Sequence, residues 1–308
     1  MDGKTLTREL QKLLSETATG TWLDLKSSYD YLYKAAIETT AKTMIFKSTQ
    51  TITTVAHQAE YDLNTDFMGL HMKDDNGQFF VKYSDGTNTY WIFFKDYDSI
   101  ILAQNTTPVI IPYNFTITDH SALAQVTGVT SADGAASGGE CTLTKATGTF
   151  IADGITAGDL VHNTTDGSNG VVLAVTSTTA LVTALFDGTN DDWTSADAFK
   201  INPQGRYQLI FDPPPDVAGH TATVYYIQRP APVYSLYRYY RFPIDFSQAL
   251  VFYAAWLYKY RDREVNFGDS YFKYWDRTVR EYNSVMNKAK GGRTFGVNLM
   301  SSAKKRAS

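Results

Sequence analysis

The sequence predicts an α+β fold: a bundle of long helices, made of an N-terminal helix and a C-terminal helical pair, with a small antiparallel sheet and an inserted all-β barrel or sandwich module. Three observations predict it. Apolar residues recur at helical spacing near both ends of the chain, strict alternation replaces that spacing at Phe46, and composition shifts to Gly, Ser, Thr, Ala and Asp between Ala124 and Ile201.

The C-terminal pair carries the strongest periodicity. Phe246, Leu250, Tyr253, Trp256, Leu257 and Tyr260 mark one buried face, and Phe267, Tyr271, Trp275, Val279, Tyr282 and Met286 mark a second. Pro243, Asp245 and Ser247 start the first helix. Arg261–Glu264 with Asn266 and Gly268 break the pair, and Gly291-Gly292 ends it. At the other end, Leu6–Ser15 reads as a short helix that needs a surface to dock on. With Thr21 as N-cap, the residues Trp22, Leu25, Tyr29, Leu32, Ala36, Ile37, Met44 and Ile45 hold a stripe over about seven turns. This long helix is the natural partner of the C-terminal pair, with Tyr31, Tyr33 and Tyr258 at the edges of a three-helix core.

Alternation over Thr49–Val55 predicts a strand, followed by Glu60–Leu63 and Phe67-Met68. Phe79–Tyr83 and Thr89–Phe94 form a hairpin around Asp85-Gly86. Ser99–Gln104 reads as one or two helical turns, and Val109–Ile117 as a strand interrupted by Pro112. Within Ala124–Ile201 short apolar runs alternate with glycine-containing turns, which argues for a separate β module over a low-complexity linker. Asn114–Thr118 and Arg206–Phe211 flank it as strands that neighbour each other in the parent sheet. That sheet ends with Thr221–Gln228. The domain organisation is therefore a discontinuous core (1–123 and 202–290), an inserted module (124–201) and an extended C-terminal arm (291–308).

Charge divides unevenly along the chain. Residues 1–123 hold ten basic and fifteen acidic side chains, residues 124–201 two and nine, and residues 202–308 sixteen and eight. The last third thus suits an acidic partner, protein or nucleic acid; solvated helix faces account for the same count. A single cysteine, Cys141, excludes an internal disulfide and argues against structural zinc. No apolar run approaches the roughly 20 residues that span a bilayer, and Met1–Arg8 lacks a signal-peptide core, so an intracellularly made, unprocessed protein is expected.

Catalytic constellations are not apparent. His57, His71, His120, His162 and His220 stand at no ligand spacing, and Gly134–Gly139 lacks the lysine of a phosphate loop. Asp187–Asp192 is rich enough in oxygen donors for calcium but does not match the EF-hand spacing. No catalytic residue, cofactor or metal is expected. Sixteen aromatic residues crowd Tyr237–Tyr282, which suits a subunit interface as well as an aromatic core, and stacking on single-stranded nucleic acid uses the same side chains. Candidate interface residues are Tyr237, Arg238, Tyr239, Tyr240, Arg241, Tyr258 and Tyr274.

The helix Trp22–Ile45, the phrase Thr51-Ile52-Thr53-Thr54-Val55 running into Glu60-Tyr61-Asp62-Leu63 and Asp66-Phe67, the later Arg229-Pro230, and the run Phe246–Trp256 resemble the head-to-tail adaptor (connector) proteins of tailed bacteriophages. The resemblance covers residues 20–123 and 202–290. It implies a non-enzymatic virion protein, made in the host cytoplasm, that forms a ring usually of twelve copies beneath the portal protein. The ring would continue the DNA channel without sequence-specific binding and hold a tail tube or nozzle protein, with tail fibres reached through the β module and no membrane partner. It also implies a portal-docking arm, here Arg293, Phe295, Val297, Leu299, Met300, Lys304, Lys305 and Arg306. A virion protein whose β module binds a glycan or a tail fibre is the alternative.

Overall fold

Fourteen strands and five helices account for the regular structure of the computed structural model, which describes residues 1–15, 23–103, 107–119, 123–261 and 268–285. The chain divides into two compact units, one from Met1–Thr43 with the chain from Arg241 onward, the other Met44–Tyr240.

The helical unit contains α1 (Gly3–Leu14), α2 (Leu25–Thr43), α4 (Asp245–Arg261) and α5 (268–285). Asp2 caps α1 by accepting from Thr5 N at 2.8 Å, and Ser15 ends it in the left-handed conformation. Helix α2 begins later than the stripe suggests, because Asp24 accepts from Ser27 N; the expected cap Thr21 lies outside the described residues. It also ends earlier: Met44 takes φ +50, which stops the helix although apolar residues continue. The helix therefore runs 19 residues. Leu6, Leu10, Tyr29, Leu32, Ala36, Phe246, Leu250, Tyr258, Trp275 and Val279 fill the core. The indole N–H of Trp275 donates to Thr39 Oγ1 at 3.0 Å, and Tyr31 meets Tyr258 edge-on at 6.3 Å.

Residues 44–240 correct the expected architecture: the molecule is mostly β, and the helices are short rather than a dominant bundle. Its strands are β1 (Lys47–Thr53), β2 (Glu60–Asp62), β3 (Phe67–Leu70), β4 (Phe80–Ser84), β5 (Thr89–Phe94), β6 (Asn114–Asp119), β7 (Val126–Val129), β8 (Cys141–Thr144), β9 (Leu160–Asn163), β10 (Asn169–Val175), β11 (Ala180–Phe186), β12 (Ala198–Asn202), β13 (Tyr207–Asp212) and β14 (Thr221–Gln228). Helix α3 (Tyr97–Ala103) lies between β5 and β6.

The sheet expected to be small has eight strands in the order β1-β14-β4-β5-β6-β13-β2, with β3 also on β14. Its size was hidden because alternation reveals a strand without its neighbours, and most of its pairings join segments far apart in sequence. The pairs are antiparallel except β5 with β6, which run parallel. Strands β6 and β13 pair from Asp119↔Tyr207 to Asn114↔Asp212, so the ends of the intervening segment emerge side by side. Ile52, Val81, Tyr83, Phe115, Leu209, Phe211, Val224 and Tyr226 form the core of this sheet.

A second, six-stranded sheet, β7-β12-β9-β10-β11-β8, is barrel-like and has its own core of Leu143, Phe150, Val161, Val172, Leu181, Trp193, Phe199 and Ile201. Trp193 is fully buried and donates from Nε1 to Thr183 Oγ1 at 2.9 Å. The strands pack closely at Gly170, where a Cβ would stand 1.8 Å from Ala184 O.

Candidate subunit interface

Helix α4 buries a different face from the one its large residues mark. Ala249, Leu250, Ala254, Ala255 and Tyr258 go inward with Phe246 and Val251, whereas Phe252, Tyr253, Trp256 and Leu257 are half-buried and Tyr260 is exposed. The alanines let the neighbouring helices approach closely on this face. The large rings are displaced to the groove with α5.

They form a ladder there. Tyr253 meets Trp275 at 4.7 Å and Trp256 at 5.1 Å between ring centroids; Trp256 meets Phe272 at 5.0 Å and Tyr260 at 5.7 Å; Phe252 meets Tyr274 at 5.3 Å. Only Trp275 of these is buried, and Tyr260 and Tyr274 are 62% and 54% exposed. Beside the ladder lies an open groove of about 290 Å³ lined by Lys34, Ile37, Glu38, Tyr253 and Leu257. Burial and then the Glu38 charge raise the Tyr253 hydroxyl pKa. Deeper in the unit, burial and the charge of Asp2 push Tyr29 up to about 12, so it stays neutral.

The expected interface residues separate into three groups. Tyr237, Tyr239 and Tyr274 are exposed, as is Arg241. Tyr240 and Tyr258 are buried. Arg238 is committed locally: its Nε and Nη2 donate to Glu140 at 2.8 and 3.1 Å, and its Nη1 donates to the carbonyl of Leu173, where β10 shifts register. Ser235 Oγ adds a 2.6 Å bond to the same carboxylate, and Leu236 N donates to Gly138 O. Gly138, at φ +62, leaves the space the Tyr237 ring occupies, since a Cβ would fall 2.4 Å from that ring. Residues 235–238 are thereby clamped onto the six-stranded sheet. Burial opposes ionisation of Glu140, but the bonds from Arg238 and Ser235 outweigh it and hold the pKa below the ordinary value.

The arm residues Arg293, Phe295, Val297, Leu299, Met300, Lys304, Lys305 and Arg306 lie outside the described residues. So does His120; the remaining histidines are apart, with His57 3.8 Å from Asp216, His220 bonded to the Tyr83 hydroxyl, His162 to Asn169 and His71 edge-on to Tyr225. In the acidic loop, the Asp191 and Asp192 carboxylates accept from Gly188 N and Asn190 Nδ2. No group of three or more His, Cys, Asp or Glu that could hold a metal occurs among the described residues. No described helix is long and apolar enough to cross a membrane. No family of known proteins and no characterised protein matches this chain in sequence.

Of the ladder residues, Tyr253, Trp256 and Tyr260 were expected on a buried face and Phe252 and Phe272 were not singled out; one signal was legible. A face built of Ala249, Ala254 and Ala255 competes with the aromatic stripe for the interior, because small side chains let a neighbouring helix approach closely.

Proposed function

We propose that the protein is a structural head-to-tail adaptor of a tailed bacteriophage virion, a non-enzymatic ring component that binds the portal and receives a tail protein. The observation that carries this reading is the aromatic ladder on α4 and α5, which leaves Tyr260, Phe272 and Tyr274 exposed beside the half-buried Phe252, Tyr253 and Trp256. A face of that kind belongs to protein interfaces, where a ring supplies area and a hydroxyl or indole N–H supplies a polar end. The phrases that resemble those of adaptors support it: Phe246–Trp256 forms most of the ladder helix, and Thr51–Val55 lies in and just after β1. In a ring, each ladder would meet the next copy, and the arm would dock on the portal.

The mass of the purified chain, alone and mixed with portal, tests the proposal. The expected result is a monomer or weak oligomer alone and a ring on the portal, because the half-buried aromatic ladder needs a partner to cover it. Truncation after Gly292 should abolish attachment without altering thermal stability. Trp256→Asp with Phe272→Asp should leave the chain on the portal but lower the copy number. Absence of any portal binding by the full chain would overturn the reading.

A further inference from the structure

Side chains alternate across a strand, so the register of β1, β14, β4 and β5 fixes what shares their outer face. Thr49 stands opposite Tyr225, Thr223 opposite Lys82, and Lys82 opposite Trp91. The Lys82 ammonium lies 5.5 Å from the centre of the Tyr225 ring. Trp91 lies flat on the buried Phe80 ring at 4.6 Å and 9°, with 52% of its surface exposed. On the other side of Tyr225 opens a groove of about 440 Å³ lined by Lys47, Ser48, Thr49, His71 and Tyr225.

We infer that this face binds single-stranded nucleic acid, with bases on Trp91 and Tyr225 and phosphates at Lys82 and Lys47. The order across the strands is ring, cation, ring, cation, which matches the alternation of base and phosphate along one strand. Trp91 and Tyr225 are two strands and two residues apart; at about 4.8 Å between strands and about 3.4 Å per residue the rings stand about 12 Å apart along a diagonal, a distance two nucleotides span. No carboxylate lines the groove, although residues 1–123 are net acidic. A duplex would present phosphates but keep its bases stacked inside, and an acidic polysaccharide would offer charge but no aromatic base to stack on the rings. Base stacking and phosphate neutralisation together define the single-strand mode. The inference goes beyond the adaptor reading and does not depend on it.

The test is fluorescence anisotropy of a labelled oligothymidylate of about twelve nucleotides with the full chain at low salt. Binding is expected, with log Kd rising against log salt at a slope of about 1.4 for two neutralised phosphates. Trp91→Ala and Lys82→Gln should each weaken it about fivefold or more, while Lys200→Gln on β12 leaves it unchanged. Because Trp91→Ala uncovers Phe80, thermal unfolding accompanies it, and the double variant Lys47→Gln with Lys82→Gln tests the face with its rings intact. Failure to bind at low salt, tighter binding of duplex or of polygalacturonate, or full affinity in the double lysine variant would each overturn the inference.

Discussion

The two sheets of the β unit bring their terminal strands together by different means. In the eight-stranded sheet β1 and β2 stand at opposite ends of the strand order, and the Gln50 side chain bridges them: its Nε2 donates to Asp62 O at 3.0 Å while its Oε1 accepts from Asn64 N at 2.8 Å, and just beyond β1 the Tyr61 hydroxyl accepts from Val55 N and donates to Val55 O. In the six-stranded sheet the terminal strands β7 and β8 meet through backbone, Ser131 N to Thr144 O at 2.7 Å, and Lys145 Nζ adds a bond to Thr127 O. An open edge invites pairing with other chains, and both devices occupy it. A backbone bridge survives any side-chain substitution that keeps the strand. The glutamine bridge depends on one residue.

The largest expected effect falls on the six-stranded sheet. Trp193→Ala removes a fully buried ring and leaves Thr183 without the indole donor, and should cost about 3–5 kcal/mol. Hydrogen exchange should lose protection in β8–β12 while β1, β4 and β14 keep theirs, since the two cores are separate clusters. Equal loss in both sheets would mean that they unfold as one. Removing 124–201 and joining the ends sharpens the same point: Asp119 and Tyr207 pair directly, so a short turn closes the gap and the eight-stranded sheet should still unfold cooperatively.

Next in size is the clamp. Arg238→Ala breaks three bonds at a partly exposed site and should cost about 1–2 kcal/mol, less than a buried ion pair would. Because the Glu140 pKa is lowered in the folded state, the clamp's contribution is complete above the ordinary value of 4.5 and fades as pH falls through and below it. Denaturant midpoints compared between pH 7 and pH 4 should therefore converge for wild type and Arg238→Ala, with other groups affecting both alike. A constant gap across that range would assign the effect to lost packing of the arginine stem.

Element positions were legible where one local signal dominated. The Asp85-Gly86 hairpin and the 221–228 strand follow from turn chemistry and periodicity. The neighbourhood of β6 and β13 followed from reading the segment between them as an insertion. What escaped was decided by partners far away in sequence. Whether Tyr253 or Ala254 faces inward depends on how near the adjoining helices come, and the joining of β1 to β14 across some 170 residues carries no local mark. The clamp was half visible, as Arg238 in an aromatic segment, but its partner Glu140 sits in a turn-rich stretch with nothing to single it out.

The smallest expected effect tests the glutamine bridge itself. Gln50→Ala removes two hydrogen bonds at an exposed position, where water takes their place, so the cost should be about 1 kcal/mol. The sharper consequence is at the edge. With the amide gone, Asp62 O and Asn64 N lose their shared partner, and β2, only three residues long, should exchange its amides faster than β13, which keeps its pairing with β6. Gln50→Glu separates donor from acceptor: the carboxylate still accepts from Asn64 N but repels the Asp62 carbonyl, so it should exchange like Gln50→Ala on the Asp62 side alone. If amide exchange in β2 is the same in wild type and both variants, the bridge does not hold this edge, and the side chain of Gln208, which donates to Asp62 Oδ1 at 3.0 Å, becomes the contact to remove next.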